Sequence, residues 1–272
     1  IMHCPADGPN ATFRAERPKA ELLRDQAKMT FIRDFLRRRR IARHVARHGY
    51  AFDFHGLSVR IPPDSPPGVG NALLRKKYEM EEAEFVLRHL DPSFPVVELG
   101  GSIGVLSSLI QSRLAAGVRH VVVEANPALI DICRQNATQR PDSGAEVINA
   151  AVGYGASHLA FAIGDNIHSN RLAKPGDARE QVIKVPAITL AELVTRLGET
   201  AGYSLVCDIE GGELDLMRNE WDQVQKATLV IMELHPRVYQ NGSEDTQMIE
   251  TRMQDAGFRQ AERLNDVYLW RR

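Results

Sequence analysis

The run Val96-Val97-Glu98-Leu99-Gly100-Gly101-Ser102-Ile103-Gly104 carries an acid and three glycines at the end of a strand-like segment, and Val121-Val122-Val123 runs straight into Glu124-Ala125-Asn126. An apolar strand entering a glycine turn, a helix, and a second strand ending in an acid together grip a nucleoside, because two ribose hydroxyls can each donate to one carboxylate. Glu124 is the acid so placed. The glycines are spaced Gly-Gly-x-x-Gly, where a dinucleotide site needs Gly-x-Gly-x-x-Gly, so a pyrophosphate and a nicotinamide-dependent oxidoreductase fit less well. After a third apolar run, Asn149-Ala150-Ala151-Val152-Gly153 falls where an adenine would lie, and Asn149 either bonds its edge or caps a turn. Further on, Asp208, Glu210 and Glu213 follow one apolar run, and Glu233 and His235 end the next. Carboxylates and an imidazole are the groups that take a proton from a hydroxyl or hold a hard cation.

These residues need a scaffold, and the chain alternates strand and helix patterns to supply one. Strands are predicted at 95–99, 119–124, 145–149, 203–208, 228–233 and 266–271, with helices at 104–116, 127–138, 189–197, 213–219 and 244–256. A further helix runs from Tyr78 to Leu90. Thr189 with Glu192 makes a capping box, and Gly257 stops the last long helix. Strands separated by helices of this length imply an α/β fold, a mostly parallel doubly wound sheet. Phe258 to Trp270 holds two runs split by Asn265-Asp266 without room for a crossover helix, so the C-terminal strand enters antiparallel. Ahead of this domain, 19–48 reads as a helix and 50–61 as a hairpin around Gly56, and the run Pro62 to Gly68 breaks regular structure. The boundary therefore falls between an N-terminal helical and hairpin cap, 1–68, and the main domain, 69–272.

Composition narrows the setting. The 272 residues are 43% apolar, enough to bury a full core, and no window approaches the roughly 20 uninterrupted apolar residues of a membrane span. Cys4, Cys133 and Cys207 are scattered and odd in number, so a reduced, cytoplasmic setting is expected, with neither a disulfide framework nor a zinc site. Residues 1–50 hold 12 Lys/Arg against 5 Asp/Glu, leaving 22 against 30 for the rest. Arg37 to Arg40 with Arg43 and Arg47 form either a solvated face or a docking surface for an acidic partner or a second copy. Nucleic acid is not expected, since no aromatics interleave the arginines and the acidic body repels phosphate.

Taken together, the segments resemble the FkbM-like S-adenosylmethionine-dependent methyltransferases over roughly 78–236. The resemblance rests on Tyr78-Glu79, Val97 to Gly104, Val123-Glu124-Ala125-Asn126-Pro127, Ala150 to Gly153, Thr189-Leu190, Asp208-Ile209-Glu210-Gly211-Gly212-Glu213 and Glu233-Leu234-His235-Pro236, in that order. It implies a Rossmann-like methyltransferase fold, S-adenosylmethionine as cofactor, and methylation of a hydroxyl oxygen of a sugar, glycan or small natural product. On this reading Glu98 organises the loop and the cofactor's amino group, Gly100, Gly101, Ser102 and Gly104 let the backbone approach its methionine part, and Glu124, Ala125, Asn149 and Ala151 face its nucleoside. The chain departs from the family in having Val206 where a lysine precedes the fourth-strand aspartate.

Asp208, His235 and Glu210 are the expected catalytic groups. Either Asp208 or His235 acts as general base, the histidine with an ordinary pKa of about 6.5, or a divalent cation held by Asp208 with Glu210 or Glu233 lowers the acceptor's pKa. The base is preferred and no metal is expected. Glu213, in a helix's first turn, is read as structural. His168, Ser169 and Asn170, in a polar loop after Leu159 to Ile163, are candidates for holding the acceptor. The competing reading is a catalytically silent binding protein that keeps the nucleoside site.

Overall fold

The structure, a computed structural model, describes residues 19–164, 171–172 and 181–272, with side chains from residue 33 onward outside 171–172. Helix α1 (Lys19–His48) leads to a hairpin of β1 (Ala51–Phe54) and β2 (Leu57–Arg60), then α2 (Pro67–Leu74) and α3 (Met80–His89). The main alternation follows as β3 (Val96–Leu99), α4 (Val105–Arg113), β4 (Arg119–Glu124), a 3-10 turn, α5 (Ile130–Ala137) and β5 (Gly144–Asn149). Next come β6 (Ala151–Val152), β7 (His158–Ile163), β8 (Arg171–Leu172), β9 (Gln181–Ile188), α6 (Leu190–Arg196), β10 (Tyr203–Cys207), α7 (Glu213–Asn219) and α8 (Trp221–Val224). The chain closes with β11 (Ala227–Glu233), α9 (Ser243–Asp255), β12 (Arg259–Leu264) and β13 (Val267–Arg271).

Seven strands form the main sheet in the order β12-β13-β11-β10-β3-β4-β5. The five strands from β11 to β5 pair in parallel, whereas β13 slots between β11 and β12 and is antiparallel to both. The antiparallel entry predicted from the short Asn265-Asp266 break is thus observed. Every residue of β3 and five of six in β4 are buried, as strands covered on both faces must be. The two-residue period divides the core: Val97, Leu99, Val123, Leu205 and Met232 face one side with Leu193, Leu216 and Ile249. Val96, Val206, Leu229 and Ile231 face the other with Phe85, Leu109 and the hairpin's Phe52 and Val59. The hairpin therefore shares its core with α4 and the sheet.

Local signals act as the sequence predicts at α6, where the Thr189 hydroxyl accepts from the Glu192 backbone and the Glu192 carboxylate accepts from the Thr189 backbone. Two elements escaped the sequence pattern. Helix α2 starts inside the proline run, because Pro67 stands at a helix's first position, where a missing N–H costs nothing. A second, four-stranded sheet in the order β6-β9-β7-β8 stands beside the main one. Its strand β9 holds Lys184 and Pro186, which disguise it as loop, yet pairs antiparallel with β7 along its length. Among the described residues no helix is long and apolar enough to cross a membrane. Phe35 and Leu36 are more than half exposed on α1.

Candidate functional site

A cleft opens beyond the carboxyl ends of β3, β4 and β10. Gly100, Ser102, Val123, Glu124 and Ala125 line one flank, with Ala150, Ala151, Val152 and Phe161 beside them. Glu79, Asp208, Ile209, Glu210 and Gly212 close the other end.

Glu124 ends β4 almost fully buried, and each carboxylate oxygen accepts one backbone N–H: Oε2 from Ser102 at 2.7 Å and Oε1 from Asn126 at 2.6 Å. A buried carboxylate that lines the cleft is the acceptor that a vicinal diol requires. Burial pushes its pKa up to about 7, against the backbone N–H groups that lower it. Ser102 reaches Glu124 because it adopts a left-handed φ of 47°, turning its N–H toward the strand next door.

The glycines earn their places differently from the sequence reading. A β-carbon at Gly100 would fall on the backbone carbonyl of Asp208, and one at Gly101 would strike Val122 and Cys133. These residues are glycine chiefly because other parts of the chain pack against them, and neither Gly101 nor Gly104 lines the cleft. Glu98 also turns inward. Its Oε1 accepts from the Ser107 hydroxyl at 3.0 Å and its Oε2 lies 2.8 Å from Nε2 of the fully buried His120. The carboxylate thereby ties the loop to α4 and β4 and lines no part of the cleft. The Asn149 amide nitrogen donates to the carbonyls of Glu124 at 3.0 Å and Ala125 at 3.1 Å, bracing the chain after β4.

At the other end, His235 is ringed by acids. Its Nε2 stands 3.5 Å from Asp208 Oδ1, 3.5 Å from Glu210 Oε2 and 3.8 Å from Glu233 Oε1. Its Nδ1 lies 3.0 Å from Glu213 Oε1. Burial alone would lower its pKa, but the Glu213 hydrogen bond and the charges of Glu213, Asp208 and Glu233 outweigh it and push the value up to about 10. The free imidazole base expected near 6.5 is therefore replaced by an imidazolium at neutral pH. Asp208 is raised well above the carboxylate range by burial first and Glu233 second. Burial also raises Glu210, which sits at a left-handed φ of 51°. Asp208, Glu233 and His235 bring one ligand atom each within 4.8 Å of one another, a spacing that could take a metal ion, and the charged ring of His235 meets those same carboxylates.

Two acids were given no site role by the sequence. Glu79 lines the cleft from the end of α3, held at a left-handed φ of 41°, and Glu82 lies buried a turn further on. Burial, then Glu233, pushes Glu82 up to about 8. Their i, i+3 spacing at a helix start was the available signal. His168, Ser169 and Asn170 lie outside the described residues.

A parallel sheet with an antiparallel seventh strand inserted beside β11, a glycine turn after β3 and an acid ending β4 define a Rossmann-like methyltransferase fold. The methyltransferase FkbM domain matches residues 98–260, and the chain belongs to that family. Solved structures are similar to the chain at low identity. Fibrillarin of Aeropyrum pernix, with natively bound S-adenosyl-L-methionine, is 15% identical, covering 70% of this chain and 71% of that one at a TM-score of 0.41. An O-methyltransferase of Bacillus cereus in complex with SAH is 10% identical over 70% and 78% of the two chains, TM-score 0.40. A precorrin-6y C5,15-methyltransferase of Geobacter metallireducens is 14% identical over 71% and 87%, TM-score 0.41. No curated protein sequence matches the chain significantly.

Proposed function

We propose that this methyltransferase uses S-adenosylmethionine to methylate a hydroxyl oxygen of a sugar, glycan or small natural product. The observation that carries the reading is the Glu124 carboxylate, which accepts from two backbone N–H groups and lines the cleft. Ala150, Ala151, Val152 and Phe161 offer an apolar wall to a flat base. When bound, the cofactor supplies an electrophilic methyl on a sulfonium sulfur.

The chain's own residues then have to hold a hydroxyl in line with that methyl and take its proton as the carbon–oxygen bond forms. Asp208 is the base we favour, because it lines the cleft just past the end of β10, beside Glu210. Glu210 and Glu79 share that end of the cleft, and the imidazolium of His235 lies 3.5 Å from both Asp208 and Glu210. We place the reaction in a reducing, cytoplasmic setting, supported by the buried free thiols of Cys133 and Cys207.

Calorimetric titration with S-adenosylhomocysteine tests the cofactor. Saturable binding that Glu124→Ala weakens at least about tenfold is expected, the loss of two charge-assisted hydrogen bonds. No binding by the intact protein sinks the proposal.

A further inference from the structure

Glu213 has no part in the reaction just described, yet its carboxylate is 0% exposed and carries four partners. Oε1 accepts from Nδ1 of His235 at 3.0 Å, from the Gly211 backbone at 3.1 Å and, more distantly, from the Ile209 backbone at 3.4 Å. Oε2 accepts from the Tyr239 hydroxyl at 2.8 Å, and that hydroxyl accepts in turn from the backbone N–H of His235 at 2.9 Å. One carboxylate thus fixes the ring of His235 directly and its backbone through Tyr239. An acid placed only to complement a helix dipole has no need of burial or of such a partner set.

The direction of the first bond has a chemical consequence. A carboxylate can only accept, so the hydrogen between Glu213 and His235 sits on Nδ1, and Nε2 is left to face Asp208, Glu210 and Glu233. Gly211 adds a second consequence, because its bond to Glu213 also pins the Glu210-Gly211-Gly212 turn, where Glu210 holds its left-handed backbone.

We infer that Glu213 is a positioning residue, which fixes the ring of His235 against Asp208 and Glu210 and holds the turn that carries Glu210 at the acceptor end of the cleft. The inference rests on reading Asp208, Glu210 and His235 as that end, and its test is independent of cofactor and acceptor. Long-range proton–nitrogen NMR of the intact protein reports which ring nitrogens carry hydrogen. His235 is expected to show a protonated Nδ1 with slow solvent exchange, and a bare Nδ1 overturns the inference.

Glu213→Gln keeps an acceptor but loses the charge, so exchange of the Nδ1 proton should quicken about tenfold or more. Tyr239→Phe, which leaves the ring contact in place, should quicken it far less. Identical His235 signals in intact protein and folded Glu213→Gln also overturn the inference; if that variant does not fold, the spectrum of the intact protein decides. S-adenosylhomocysteine affinity is expected to change less than about twofold in Glu213→Gln, since Glu213 does not line the cofactor flank. Failure of the intact protein to bind that ligand would count against the methyltransferase reading and leave the NMR result standing.

Discussion

The backbone carbonyl of Asp208 occupies the space where a β-carbon of Gly100 would stand. Asp208 also donates its N–H to the carbonyl of Leu99 at 2.9 Å, so the end of β10 lies directly across the glycine turn after β3. The proposed cofactor loop and the proposed base are therefore braced by one backbone crossing, and a change in either displaces the other.

Gly100→Ala is accordingly expected to be costly. It adds a β-carbon against a carbonyl and forces a side-chain-bearing residue to φ +93°. A loss of about 2–3 kcal/mol in denaturant unfolding is expected, together with loss of S-adenosylhomocysteine binding. A variant as stable and as tight-binding as the natural chain would show that the crossing carries no load.

Cofactor affinity should depend on pH through Glu124. Its carboxyl titrates at about 7, raised by burial, and only the ionised form offers an acceptor lone pair on both oxygens. Affinity for S-adenosylhomocysteine is expected to fall as pH drops below about 7, by up to about tenfold per unit. Calorimetry between pH 6 and 8 measures this, and Glu124→Gln should flatten the dependence. A slope of the opposite sign contradicts the assignment.

His235 should stabilise the fold in a defined pH window. Its folded pKa of about 10 lies above the unfolded value of about 6.5, so the folded state binds the extra proton. The contribution is full below the unfolded value and fades as pH rises through the folded one. The melting-temperature gap between the natural chain and His235→Gln should thus narrow from pH 6.5 to pH 10. A gap that widens toward alkaline pH excludes the imidazolium.

Methyl transfer should survive chelation. With His235 charged among Asp208, Glu210 and Glu233, the acids have a cation of their own. Activity on a panel of hydroxylated glycosides, followed by release of S-adenosylhomocysteine, is expected to be unchanged after EDTA treatment. A loss that magnesium restores would revive the metal route.

Exposed apolar residues on α1 carry little of the fold. Phe35 and Leu36 are 56% and 52% exposed, so their joint replacement by serine should move unfolding by no more than about 0.5 kcal/mol. A larger loss in denaturant unfolding would show that this stretch of α1 packs against something.

The sequence alone determined the order of the main-sheet strands and the helices between them, the antiparallel closing strand, the glycine turn and the acid at the end of β4. Those features are written in local patterns: apolar runs of strand length, capping residues, and a break too short for a helix. It could not determine which way the polar groups turn. Glu98 stands one residue before the end of β3 and Glu124 ends β4, yet the first lies against Ser107 and His120 and the second faces the cleft. The difference lies in the pleat and in what β4 and α4 place behind each carboxylate. Asn149 is consumed by carbonyls of the neighbouring strand's exit, which only the register of β5 on β4 brings near. The charge on His235 was likewise beyond a local reading, because it is set by acids from β10, α7 and β11 that converge only once the sheet has formed. Tertiary structure decided these points for one physical reason: hydrogen bonds and pKa values depend on neighbours in space, and the residues that supply them are far apart in the chain.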